Sequence, residues 1–154
     1  VKFCIYQGDE VLDESHPAFA GVDIEVVNYT QHPYHQHDAH GTAVASQYAS
    51  SDGRYCPFPE IAKNQMKVVA GAVLYGGSGN LDDITKFIDF VALDAPKKQA
   101  DGYFTLMNLS LGMDGPTPRD LDRALHAVKD AGVLIFGANG MLPIAFSINS
   151  SFFG

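Results

Sequence analysis

Apolar and polar positions along this chain switch between two periods. The run "VKFCIY" (1–6) is short, apolar and rich in β-formers, and "QGDE" after it reads as a polar turn. "VDIEVVNY" (22–29) is a second strand. "HGTAVASQYASS" (40–51) places small and apolar residues at helical spacing and stops at Ser50, Ser51 and Gly53. "MKVVAGAVLY" (66–75) is continuously apolar, as a strand buried on both faces would be. After the turn "GGSGN" (76–80), "LDDITKFIDFVAL" (81–93) puts Leu81, Ile84, Phe87, Ile88 and Val91 on one helical face. Asp82 and Asp83 sit in its first turn, where the helix dipole favours them. "FTLMNLSLG" (104–112) is a fourth strand. Pro116 and Pro118 then lead into a helix over 119–132 that Gly132 closes. "VLIFGANG" (133–140) is a fifth strand entering a glycine-rich turn. Strands alternating with helices at this spacing predict an α/β fold: a three-layer parallel sheet with helices on both faces.

Composition narrows the functions open to such a fold. The 154 residues suffice for one domain with a core, and 46% hydrophobic with 18% charged residues is ordinary for a globular protein. A net charge of −8 argues against nucleic acid as a partner, since phosphates select a basic face. No apolar run reaches the ~18–20 residues of a membrane span, so no membrane partner is expected. The chain starts at Val1 and shows no signal peptide, which predicts a processed start or a boundary within a longer protein and leaves the compartment open. Cys4 lies in a strand pattern and is expected to be a buried small hydrophobe.

The candidate chemistry lies in "QHPYHQHDAHGTAVAS" (31–46), which holds four of the six histidines. A metal could draw on His35, His37 and His40. All would come from one loop and one helix start, with no Cys or Glu at ligand spacing, so we expect no metal and no cofactor. His32, His35 and His37 belong to a polar loop and are expected in solvent. His40 differs: Gly41 and Thr42 follow it and an apolar helix begins there, so it is expected partly buried at the floor of a cleft.

On these residues the chain resembles the subtilisin-like serine proteases. "HDAHGTAVAS" is similar to the family's histidine motif, and "VKFCIYQGDEVLDESHPAF" looks like its aspartate motif. "VVAGAVLYGGSGNLDDITKFIDFVA", "MNLSLG" and "AGVLIFGANG" follow in the family's order, as the next strand, turn and helix, the substrate-binding strand, and the strand that delivers an oxyanion-stabilising asparagine. The resemblance implies one subtilisin-like peptidase domain over 1–154, incomplete at its C-terminal side, in a family whose members tend to be secreted. It implies a serine endopeptidase acting on a peptide or protein substrate. His40 would be the general base, Asp9 the carboxylate that orients it, and Asn139 the oxyanion donor. Ser110, Leu111 and Gly112 would carry the substrate backbone.

Two of these assignments have rivals. Counting back from Ser15-His16-Pro17 puts Asp9 at the catalytic carboxylate; counting along the first strand puts Gln7 there, and Asp9 would then cap a turn. Val11 stands where the family has a glycine. Counting from Gly132 puts Met141, not Asn139, in the asparagine position, and Asn139-Gly140 is also a common turn pair. The family's Gly-Thr-Ser-x-Ala nucleophile motif does not occur in the sequence, and Ser147, Ser150 and Ser151 lack its context. The serine is therefore expected on a remaining part of the peptidase domain, a partner to this chain. The rival reading is a degenerate, pseudoprotease-like relative that binds peptides or proteins.

Overall fold

A computed structural model describes residues 1–33, 39–113 and 115–138. Its elements are β1 (Lys2–Glu10), β2 (Asp23–Asn28), α1 (His40–Ala49), α2 (Pro59–Gln65), β3 (Met66–Leu74), α3 (Leu81–Ala100), β4 (Tyr103–Leu109), α4 (Arg119–Asp130) and β5 (Leu134–Gly137). The strands form one sheet in the order β2-β3-β1-β4-β5, every neighbouring pair parallel. Helices cover both faces, as the alternation of periods predicts. The strand period of two sorts the side chains. Cys4 and Tyr6 of β1, Val69 and Val73 of β3 and Met107 and Leu109 of β4 join Phe87, Ile88, Val91, Leu125 and Val128 of α3 and α4 in the larger core. Val68 and Ala70 point the other way, to Ala45 and Ala49 of α1 and to Leu12 and Phe19. Cys4 and Cys56 are free and buried, and burial pushes the Cys4 thiol up to about 11.

Three elements depart from the sequence pattern. "QGDE" is not a turn: β1 runs through it to Glu10, with Gln7 and Gly8 paired to Ala70 and Gly71 of β3 and to Asn108 and Leu109 of β4. Ladder bonds on both sides hold these polar residues in the sheet. The second helix of the pattern, α3, passes position 93 to Ala100 and contains Pro96. Its last turns are held from outside: Ala95 is fully buried, Tyr6 Oη donates to Asp94 Oδ2 at 2.9 Å, and Gln99 Nε2 donates to the Ala131 carbonyl at 2.8 Å. Short α2 gives no periodic signal because it buries only Ala62.

Helix α3 crosses the centre of the sheet over a gap made by glycine. Gly8 and Gly71 are register partners on β1 and β3. A Cβ on Gly71 would stand 2.3 Å from Phe87 Cδ2, and one on Gly8 would stand 3.0 Å from Phe87 Cδ1. The two glycines thus form the seat of the Phe87 ring, which is fully buried.

The opposite face is covered unevenly. α1 packs on β1 and α2 on β3, whereas Phe104 of β4 and Leu134 and Phe136 of β5 remain 48%, 51% and 54% exposed. Thr105 and Met107 are buried and Ile135 packs on the larger core, so these three exposed residues belong to the face that carries α1.

Gly71→Ala should overpack the Phe87 seat and lower stability by about 1–3 kcal/mol in urea unfolding. Trimming the ring in the double variant Gly71→Ala/Phe87→Leu should recover part of that loss. A Gly71→Ala protein as stable as the parent would mean that Phe87 does not need this gap.

Candidate active site

The carboxyl ends of the parallel strands converge on one edge of the sheet, where α/β proteins place their ligand crevices. Asp9 and Glu10 end β1, the turn Tyr75–Ser78 follows β3, Ser110 follows β4, and α1 begins at His40. These segments line a cleft of about 590 Å³, whose wall includes Glu10, His40, Gly77, Ser110, Leu111 and Gly112.

One close pair joins this cleft to the strand behind it. His40 Nδ1 lies 2.7 Å from Asp9 Oδ1. The Asp9 side chain is wholly buried, while 53% of the His40 side chain is exposed. His40 therefore lines the cleft half-exposed. Asp9 Oδ1 also accepts the Glu10 N–H at 2.6 Å. An ionised carboxylate can only accept, so Nδ1 carries the ring proton and Nε2 is left as the basic nitrogen. Asp9 Oδ2 is buried and has no partner among the described residues.

Three successive residues of α1 are tied to β1 and the segment after it. His40 is held by Asp9. Gly41 lies against the strand so closely that a Cβ would stand 2.2 Å from the Glu10 carbonyl oxygen. Thr42 Oγ1 accepts the Asp13 N–H at 2.9 Å. A bulky residue at 41 would push α1 off the strand, which gives the glycine after the histidine a steric reason.

Gln7 does a different job from the one its rival alignment gave it. Fully buried, it donates from Nε2 to the Gly41 carbonyl at 2.8 Å and accepts the Tyr48 hydroxyl at Oε1. It braces the first turn of α1 from below, while Asp9 makes the contact to the imidazole. Gln7 as brace, Tyr48 and Glu10 were not marked by the sequence; buried polar residues inside a strand were the available signal.

Ser110, Leu111 and Gly112 line the cleft together with His40, and Asn108 Nδ2 donates to Ser110 Oγ at 2.9 Å. Asn139 and Met141 lie outside the described residues, as do His35 and His37. Ala138, the residue before Asn139, donates its N–H to the Leu109 carbonyl at 3.1 Å. His32 is exposed and stacks on Tyr75 with ring centroids 4.1 Å apart. Among the described residues no group of three His, Cys, Asp or Glu side chains could hold a metal, and no helix is long and apolar enough to cross a membrane.

The fold is subtilisin-like. The described architecture is similar to Sphericase, with a TM-score of 0.68 and 24% identity over 91% of this chain and 48% of that one. It is similar also to a cold-adapted subtilisin-like serine proteinase, with a TM-score of 0.64 and 22% identity over 90% of this chain and 46% of that one. In sequence, the chain is 31% identical over 136 residues to Subtilisin-like protease 3 of Arthroderma benhamiae, a match covering 88% of this chain and 32% of that protein. The protein of the same name from Trichophyton equinum is 30% identical over the same shares. No family model matches. The likeness to subtilisin-like proteases thus runs over about nine-tenths of the chain, which spans about a third of the length of the curated relatives it matches.

The electrostatics of the pair follow from its burial. Hydrogen bonding to Asp9 is the largest influence on His40 and raises its pKa above the ordinary 6.5, against a smaller opposing effect of burial. Burial pushes the Asp9 carboxyl above the usual carboxylate range, while the imidazole and the Glu10 N–H pull it back. The His40 contribution to stability is fully present below about pH 6.5 and is lost as pH rises through the raised value. In an NMR titration, the His40 ring should titrate above 6.5. Asp9→Asn should bring that midpoint down, because an amide does not stabilise the imidazolium and the burial effect then dominates. An unchanged midpoint would mean that the two groups do not interact in solution.

Proposed function

We propose that this chain is the aspartate- and histidine-bearing portion of a subtilisin-like serine endopeptidase. The observation that carries this reading is the 2.7 Å contact between a fully buried carboxylate and a half-exposed imidazole, open to a cleft. Asp9 fixes the tautomer and stabilises the imidazolium, and His40 Nε2 is the general base. The nucleophile is a serine hydroxyl on a remaining part of the peptidase domain. The hydroxyl is weakly nucleophilic until a base within hydrogen-bond reach takes its proton. As the serine oxygen attacks the peptide carbonyl, that proton passes to Nε2, and the negative charge collects on the former carbonyl oxygen. Asn139 donates a hydrogen bond to that oxygen. His40 then protonates the leaving amine, the peptide C–N bond breaks, and an acyl-enzyme remains. Water attacks it by the same route in reverse and frees the serine.

The substrate is a peptide or protein in extended form. Ser110, Leu111 and Gly112 follow the last ladder residue of β4 and line the cleft, so their backbone is available to a peptide adding as a strand. Bare apolar side chains support a missing part of the domain: Phe104, Leu134 and Phe136 offer a surface to polypeptide that carries the serine. The second reading, a degenerate relative that binds peptides without cutting them, uses the same cleft. Val11 in place of the family's glycine favours it.

The test compares the complete polypeptide bearing this sequence with its His40→Ala and Asp9→Asn variants on a fluorogenic peptide. Triad members act as a unit, so His40→Ala should lower kcat by roughly 10⁴- to 10⁶-fold. Asp9→Asn should lower it by roughly 10⁴-fold. The 154-residue chain by itself should cut nothing, since it brings a base without a positioned nucleophile. Equal rates with and without His40 would discard the serine-protease reading. A folded complete protein that binds peptide and leaves it intact would favour the pseudoprotease.

A further inference from the structure

Helix α1 begins without a cap of its own. Ala39 occupies the N-cap position and offers no side-chain hydrogen bond, and the first turn holds no acidic residue. The free N–H groups of a helix start need acceptors, and negative charge is favoured there. The acceptor here arrives from the neighbouring strand. Glu10 Oε2 accepts the backbone N–H of His40 at 3.2 Å. The other oxygen, Oε1, accepts the N–H of Gly77 at 2.7 Å. Gly77 lies in the turn where Tyr75 and Ser78 exchange backbone hydrogen bonds, and it holds a φ of +78°, a conformation open to glycine. Glu10 is nearly buried at 8% exposure, and no Lys or Arg pairs with it among the described residues.

We propose that Glu10 is a positioning residue: its carboxylate caps α1 across the strand–helix junction and pins the Gly77 turn, so that one side chain sets both His40 and the adjoining cleft wall. The role of His40 as base is taken from the proposed function; the two-point contact of Glu10 is independent of it. The Glu10 side chain accepts from the His40 backbone, while the hydrogen bond to the His40 ring comes from Asp9. Glu10 is the last residue of β1, paired with Leu74 of β3 one position past Asp9, so its side chain leaves the strand beside the start of α1. The register shift between Asp9 and Glu10 against β3 belongs to the same corner. In the described residues the charged groups acting on the His40 ring are Asp9 and Glu10, both from β1.

The experiment follows amide hydrogen exchange and His40 ring titration in the complete polypeptide, for the parent, Glu10→Ala and Glu10→Gln. Loss of a hydrogen bond to a charged acceptor should speed local exchange by roughly tenfold or more. In Glu10→Ala the His40 and Gly77 amides should both lose protection, and the His40 midpoint should fall. Glu10→Gln keeps the shape and offers one acceptor oxygen, so one of the two amides should stay protected and the other should not. If Glu10→Ala does not fold, Glu10→Gln decides alone. In an active protein, Glu10→Gln should lower kcat more than it raises KM, because Ser110, Leu111 and Gly112 are left in place while His40 and the Gly77 turn lose a support. Both amides protected as in the parent, with an unmoved His40 midpoint, would overturn the proposal. A parent that hydrolyses nothing would refute the protease reading instead, and the exchange and titration results would still decide the role of Glu10.

Discussion

The near-contact of β1 and the first turn of α1 is the constraint on which the site depends. The strand and the helix meet at Gly41, where any side chain would strike the Glu10 carbonyl. That approach brings the His40 ring within a hydrogen bond of Asp9, and it leaves no room for water between strand and helix at that point. Gln7 grips the Gly41 carbonyl from beneath, with Tyr48 behind it. Polar groups in such a place are costly unless satisfied. Here they are used as fasteners: each of Gln7, Asp9 and Glu10 holds an atom of residue 40 or 41.

The same strand is shaped on its other face by smallness. Gly8 and Gly71 let α3 sit close enough for Phe87 to touch both strands. A central strand that carries chemistry on one face and a glycine seat on the other has little freedom to shift. A one-residue slip would exchange the two faces and send Asp9 into the apolar core. Packing under α3 and the placement of Asp9 therefore depend on the same register.

The architecture was legible because long apolar runs and clear helical periods mark β3, α3 and α4. The parallel three-layer sheet follows from their alternation. What was not legible lies where polar residues sit inside regular structure. Gln7, Gly8, Asp9 and Glu10 read as a turn by composition, yet they are strand because β3 pairs with all four and β4 with Gln7 and Gly8. The extension of α3 through Pro96 depends on distant partners, Tyr6 and Ala131, which no local pattern shows. Within the site, the family resemblance pointed to His40 and left Asp9 and Gln7 as rivals for the carboxylate position; the contact to the imidazole is made by Asp9. The service of Glu10 was hidden, because a carboxylate that accepts from backbone amides of two remote segments leaves no spacing rule in the sequence. Asn139 and the histidines at 35 and 37 lie outside the described residues.

The bare side of β4 and β5 bears on how such a chain is made in a cell. Among the described residues no strand pairs with the outer edge of β5, and Leu134 and Phe136 stand exposed on one of its faces. Exposed strand edges and apolar patches recruit other copies of the same chain. Synthesis proceeds from the N-terminus, so any covering polypeptide that follows in sequence reaches this surface after the sheet is assembled. Until Phe104, Leu134 and Phe136 are shielded, such a surface would favour self-association of the nascent chain.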